Sequence, residues 1–146
     1  VSDELPGPVI SPTRCLRPDD GDVLVARGGY THPLFSDPVY LRSSPFAARP
    51  WPGEAVLLVM GGLAEQTGLY DGWAIALTGF DGVTFRAPAF DDDEILVEIE
   101  TLEVIAGRSR DVGLFRWHCR RIDGTSLVEA LPRFVLDKAG PGVIRG

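Results

Sequence analysis

The sequence predicts an α+β fold in which an antiparallel β-sheet is wrapped around one long central helix. Glu54 to Leu69 is one long segment in which only Glu54, Glu65, Gln66 and Thr67 are strongly polar. It is too long for an ordinary strand, and its Ala, Leu and Met content favours helix. Everything after it reads as strand, with period-two alternation broken by turn residues. A sheet curled over a single apolar helix satisfies both observations.

The elements follow in order. Val1 to Pro12 carries prolines at positions 6, 8 and 12 and no helical period, so it reads as an extended arm. A short strand or turn is expected around Arg14 to Arg17. Asp19 to Ala26 suits a helical turn, with Pro18 and two acids at its start. Gly28 and Gly29 then interrupt regular structure. Tyr30 to Pro38 holds two prolines among polar side chains and reads as an ordered loop, with a helical turn over Pro38 to Leu41. The prolines of Arg49-Pro50-Trp51-Pro52-Gly53 demand extended geometry before the central helix.

Ala55 to Met60 is apolar on nearly every side, which predicts an enclosed helix. Gly61 and Gly62 cost about 1 kcal/mol each in helix propensity against alanine, so close backbone packing is expected there. Gly68 is a suitable stop. Trp73 to Phe85 is strand-like, interrupted at Gly79 and at Asp81-Gly82. Ile95, Val97 and Ile99 share one face, with Glu98 and Glu100 on the other. Phe115, Trp117 and Cys119 likewise oppose Arg116, His118 and Arg120. Asp123-Gly124 marks a hairpin turn into Leu127 to Asp137. Pro132 within that strand predicts a bulge or an edge position.

The chain has 146 residues, a normal length for one domain, and nothing marks a second. A net charge of -7 argues against nucleic acid or an anionic membrane as partner. The longest apolar run is too short to span a bilayer, and the first residues lack a signal-peptide pattern, so the expected compartment is the cytoplasm. Cys15 and Cys119 fit no metal-ligand spacing and are expected to be free, buried thiols. No metal and no cofactor is indicated.

Several α+β folds meet these constraints, and the motifs narrow them. Gly29-Tyr30-Thr31-His32-Pro33-Leu34-Phe35-Ser36-Asp37-Pro38 resembles a loop of the MaoC-like (R)-enoyl-thioester hydratases and dehydratases, roughly G-D-x-[NH]-P-L-H-x-D-P. Phe46-Ala47-Ala48-Arg49 followed by Pro52-Gly53 resembles that family's F-G-G-R-x-x-H-G approach to its central helix, and Gly62-Leu63 fits the later part of the helix. Val83, Phe85 and Ala87-Pro88 are similar to its V-x-F-x-x-P-V strand. Asp91 to Val104 is similar to its P-G-D-x-L-x-V segment, with Asp92 or Asp93 in the turn. The resemblance covers about Arg14 to Leu136 and implies the hotdog fold.

The resemblance also implies a site. In the family an Asp and a His of this loop handle the α-proton and the water of a thioester-linked enoyl or 3-hydroxyacyl group. Here those positions hold Tyr30 and Phe35. Phenylalanine transfers no proton, and a phenol of pKa about 10 is a poor base near neutrality. The candidate catalytic residues are therefore Tyr30, as a donor to a substrate oxygen; His32, as acid/base or as a loop brace; and Gly53. The backbone N–H at Gly53, opening the helix, corresponds to the family's thioester-oxyanion donor. Glu54 is either a first-turn acid on the helix dipole or a replacement carboxylate. Phe35, Arg49, Pro52 and Glu54 are the candidate substrate-binding residues. Arg49 either fixes the loop or meets a pantetheine phosphate. Asp37 is read as a turn cap, His118 as structural, and Glu65 as a weaker acid candidate. Arg108, Arg110, Arg120 and Arg121 form either a basic patch or a solvated face.

Three functions remain open at this point. The leading one is a hydratase/dehydratase-type lyase on acyl thioesters of CoA or acyl carrier protein, in lipid or polyketide-like metabolism. The second is a non-catalytic hotdog subunit or acyl-binding protein paired with an intact hydratase. The third is a thioesterase or a specialised-metabolite enzyme on the same scaffold. The resemblance implies a homodimer, or a heterodimer with a catalytic hotdog subunit.

Overall fold

In the computed structural model, which describes residues 4–141, the chain runs through β1 (Val9–Ile10), β2 (Arg14–Cys15), α1 (Pro18–Gly28), a 3-10 turn (Pro33–Phe35), α2 (Pro38–Ser43), α3 (Gly53–Gln66), β3 (Ala74–Phe85), β4 (Glu94–Ile105), β5 (Asp111–Arg121) and β6 (Ser126–Leu136). One antiparallel sheet has the order β1-β4-β5-β6-β3, with β2 also paired to β4. The first three residues of the expected arm lie outside the described residues. The rest of it is extended as anticipated, but it is bound to the sheet. Val9 and Ile10 pair with Ile99 and Glu98, and Ser11 exchanges hydrogen bonds of 2.8 and 2.9 Å with Val97.

Helix α3 seats one face on the sheet. Val56, Val59, Met60, Leu63 and Ala64 recur at three- and four-residue spacing and are buried. They join one core with Ile95, Val97 and Ile99 of β4 and Phe115, Trp117 and Cys119 of β5. Fully burying a large apolar side chain is worth about 1.5–3 kcal/mol, so this seam dominates the fold. The expectation of an enclosed helix is corrected for the single chain. Leu58 is 62% exposed on the opposite face, beside exposed Glu54 and Glu65. The packing expected at Gly61 and Gly62 is likewise absent, since a Cβ at either would meet nothing within 4 Å. Gly29 and Gly68 take φ of 75° and 77°, left-handed values that let the chain leave α1 and α3.

The strand faces follow the alternation. Ile95, Val97, Ile99, Phe115 and Cys119 are fully buried, while Glu98 pairs with Arg120 and Glu100 with Arg116 on the outer face. The latter arginines are thus on a solvated, charge-paired face. Arg121 is tied to Asp93 at 2.9 Å. Pro132 lies in β6, between β5 and β3, so the edge reading is corrected. The bulge reading holds, because Pro132 pairs with Phe80 beside a register shift between Phe80 and Val83. Asp92 adopts φ 69°, taking the turn position where the resembled motif has glycine. Both cysteines are free, but Cys15 is exposed, which corrects the expectation of two buried thiols. Burial pushes the Cys119 thiol up to about 12. Among the described residues no helix is long and apolar enough to cross a membrane.

A polar brace fixes the approach to α3. Arg49 donates to Asp22 of α1, to the Pro18 carbonyl at 3.0 Å and to Asp91 at 2.8 Å. Trp51 Nε1 donates to the same Asp91 oxygen at 2.8 Å, and its backbone N–H to the Ala89 carbonyl at 2.7 Å. The Pro-rich segment is thereby pinned between α1 and the β3–β4 connection.

Two stability effects are expected. Tyr70→Phe removes the phenol that accepts a 2.9 Å hydrogen bond from buried Trp117 Nε1, and the orphaned donor should cost about 1–3 kcal/mol. Arg49→Met should cost about 2 kcal/mol, because charged hydrogen bonds to Asp91 and Asp22 are lost together. Urea unfolding with an unchanged slope and a lowered midpoint checks both.

Candidate functional site

The loop after α1 and the start of α3 converge on one feature. Tyr30 Oη donates a 2.8 Å hydrogen bond to Glu54 Oε2. Tyr30 reaches this position because α1 is capped at Gly29 and the Tyr30 N–H then bonds back to the Val25 carbonyl at 3.1 Å. Glu54 is in the first turn of α3, held in place by the brace below it. The Glu54 carboxylate is stabilised first by its own backbone N–H and second by Tyr30, which together lower its pKa below the usual glutamate value. The same hydrogen bond, with burial second, raises the Tyr30 pKa. Near neutrality the pair is therefore an ionised carboxylate receiving a bond from a neutral phenol.

Phe35 packs edge-on against Tyr30, with ring centroids 5.5 Å apart. With Leu34 it forms the wall between two depressions. One, of about 470 Å³, runs past Gly53, Pro52 and Glu54 under Phe46 and Phe85. The other, of about 550 Å³, lies on the Tyr30 side, against Val25, Leu41 and the Arg49–Asp91 pair. The Tyr30–Glu54 hydrogen bond joins a residue of each.

Gly53 is needed for packing as well as position. A Cβ there would stand 2.7 Å from the Phe85 ring, so the glycine lets an aromatic wall close over the helix start. Among the described hydrogen bonds, none uses the Gly53 N–H, whereas the Ala55 and Val56 N–H groups are bound to the Pro52 carbonyl at 3.0 and 3.2 Å. A donor is thus available at the groove floor.

Other candidates separate from this cluster. His32 is exposed and caps the 3-10 turn, its Nδ1 accepting from the Leu34 N–H at 3.1 Å. Its ring stands edge-on to Tyr40 at 5.4 Å, and it lines neither depression. This contact is the loop brace that the sequence offered as one of two readings of His32. The Arg49 guanidinium contacts two carboxylates and a carbonyl, the arrangement of the loop-fixing reading of this residue. Pro52 is buried beneath the groove. Asp37 caps α2 through the Val39 N–H at 2.9 Å, as expected. His118 shares a 2.8 Å hydrogen bond with Ser126 on the outer face of the sheet. Glu65 is eleven residues beyond Glu54, about 16 Å along the helix, and lines a different depression beside β3. Sequence reasoning missed the Phe46 and Phe85 walls and the Tyr30–Glu54 pairing. The available signal was that both phenylalanines fell inside recognisable motifs.

No family model matches the chain, and no curated relative does. Its fold, however, matches solved structures over nearly its whole length. The monoamine oxidase regulatory protein from Archaeoglobus fulgidus superposes with a TM-score of 0.83 at 18% identity, over 92% of this chain and 91% of that one. The MaoC-like dehydratase from Rhodospirillum rubrum gives 0.78 at 17% identity, over 92% and 94%. The truncated HadBC (3R-hydroxyacyl-ACP dehydratase) complex from Mycobacterium tuberculosis gives 0.76 at 14% identity, over 92% and 99%. The chain has the hotdog fold shared by the MaoC-like dehydratases and (R)-hydratases.

Proposed function

We propose that this protein is a hydratase/dehydratase-type lyase acting on acyl thioesters of CoA or acyl carrier protein, in lipid or polyketide-like metabolism in the cytoplasm. The observation that carries the reading is the groove at the start of α3. It is an apolar groove walled by Phe35, Phe46 and Phe85, with the Gly53 N–H, Glu54 and Arg86 among its polar groups, and Glu54 is hydrogen-bonded to Tyr30 of the neighbouring depression. An acyl chain suits the aromatic walls, and a thioester oxygen suits the unused backbone donor. Leu34, Phe35, Phe46, Pro52, Gly53 and Phe85 of the sequence motifs line this groove, and the fold is that of the dehydratases named above.

The working unit in this reading is a homodimer. β3 is an unpaired edge, and exposed Ile75, Leu77 and Leu58 flank it. Open Gly61 and Gly62 leave room for a second backbone there. One observation favours a second reading. Phe35 stands where the resembled family has its imidazole, which suits a non-catalytic subunit paired with an intact hydratase. The fold likeness to the HadBC complex is compatible with such a pairing.

The experiment is a hydration assay of the purified chain with crotonyl-CoA and a longer enoyl-CoA, run beside a free-thiol assay and a sedimentation measurement. Loss of the enoyl absorbance by a dimer, without thiol release, is the expected outcome. Thiol release would instead identify a thioesterase. A folded dimer that turns over neither substrate would shift the reading to a partner subunit.

A further inference from the structure

Resting on the lyase reading above, we propose that Glu54 and Tyr30 are the catalytic acid/base pair, one carboxylate on the helix and one phenol on the loop forming a closed proton circuit. The geometry that carries this is the 2.8 Å bond between Tyr30 Oη and Glu54 Oε2 at the meeting of two depressions. Phe35 supplies no proton and fixes the Tyr30 ring from its edge. His32 spends its Nδ1 on the loop backbone and stands outside the groove. Asp22 and Asp91 are both ion-paired to the single Arg49 guanidinium within the brace. Arg86, the other charged residue lining the Gly53 groove, is paired with Glu129 at 2.9 Å. Asp37, in the second depression, caps α2 through the Val39 N–H, which leaves the Tyr30–Glu54 pair, bridging the two depressions, with chemistry to offer.

The circuit balances for dehydration of a 3-hydroxyacyl thioester. The Glu54 carboxylate takes the proton from the α-carbon, and that C–H electron pair becomes the α–β double bond. The bond from the β-carbon to the hydroxyl oxygen breaks, and the departing oxygen takes the Tyr30 phenolic proton. The phenolate then recovers a proton from the Glu54 carboxylic acid across their hydrogen bond. The products are an enoyl thioester and water, with both side chains restored. Hydration is the reverse sequence. The Gly53 N–H faces the thioester oxygen while enolate charge develops. The circuit needs Glu54 ionised and Tyr30 protonated, the states their mutual bond favours.

The test compares steady-state kinetics of the full chain with Glu54→Gln, Glu54→Asp and Tyr30→Phe, using crotonyl-CoA hydration and its reversal. Glu54 is exposed, so the Gln variant should keep the wild-type circular dichroism and dimer. Expected is a loss in kcat of about 10²–10⁴-fold in Glu54→Gln and in Tyr30→Phe. Partial retention is expected in Glu54→Asp, with a double variant no worse than the poorer single one. The wild-type profile should be flat from about pH 6 to 9. It should fall only above pH 10, because the Tyr30 pKa is raised from 10.0. An active chain in which Glu54→Gln stays within roughly threefold of wild type overturns the assignment alone. So does an acid limb near the histidine value of about 6.5 that vanishes in His32→Ala. A folded wild-type dimer that turns over no thioester overturns the assignment together with the function beneath it.

Discussion

Burial of one face of α3 against the curled sheet is the interaction on which the rest depends. The helix is apolar around most of its circumference, and the sheet satisfies only the side bearing Val56, Met60 and Leu63. The direction of α3 is set by that contact, and its N-terminus is set by the Arg49–Asp91–Trp51 brace. Together they put Gly53 and Glu54 at a fixed place on the molecule. They stay there because the helix cannot shift without exposing its core face.

The brace also explains how the loop after α1 is held near the helix. Arg49 links α1, through Asp22 and the Pro18 carbonyl, to the β3–β4 connection, through Asp91. Tyr30 follows directly from α1, so the same network that holds the helix start also holds the phenol. Phe35 closes the space between them with an edge-on aromatic contact. An imidazole there would add a titrating group. A phenyl ring instead lowers the local polarity and leaves a single carboxylate–phenol pair.

The same burial leaves an opposite surface unsatisfied. Exposed Leu58 on α3, Ile75 and Leu77 on β3, and the open glycines between them lie along one side of the molecule. An apolar helix face beside an unpaired strand edge is costly in water and offers both hydrophobic and hydrogen-bonding complementarity to a second chain. The groove and this apolar edge share elements, since β3 carries Ile75 and Leu77 on the edge and Phe85 at the groove.

Local pattern alone determined much of this protein. The alternation of Ile95, Val97 and Ile99 decided which face of β4 is core, and the polar run after Leu63 ended the helix near Gly68. The prolines around Trp51 fixed an extended approach, and the ordered motifs pointed to the fold that the structure has. These features depend on neighbours within a few residues, so the sequence carries them directly. Tertiary structure decided what depends on partners distant in the chain. Tyr30 and Glu54 are separated by 24 residues, and nothing local says that they touch. The sequence leaves Arg49 open to fixing the loop or to meeting a phosphate, and the fold brings Asp91 to it from 42 residues away. The sequence leaves His32 open to acid/base work or to bracing the loop, and the 3-10 turn uses its Nδ1 as a cap. The enclosure of α3 was also misjudged, because apolar character reports that a surface must be covered and not which chain covers it.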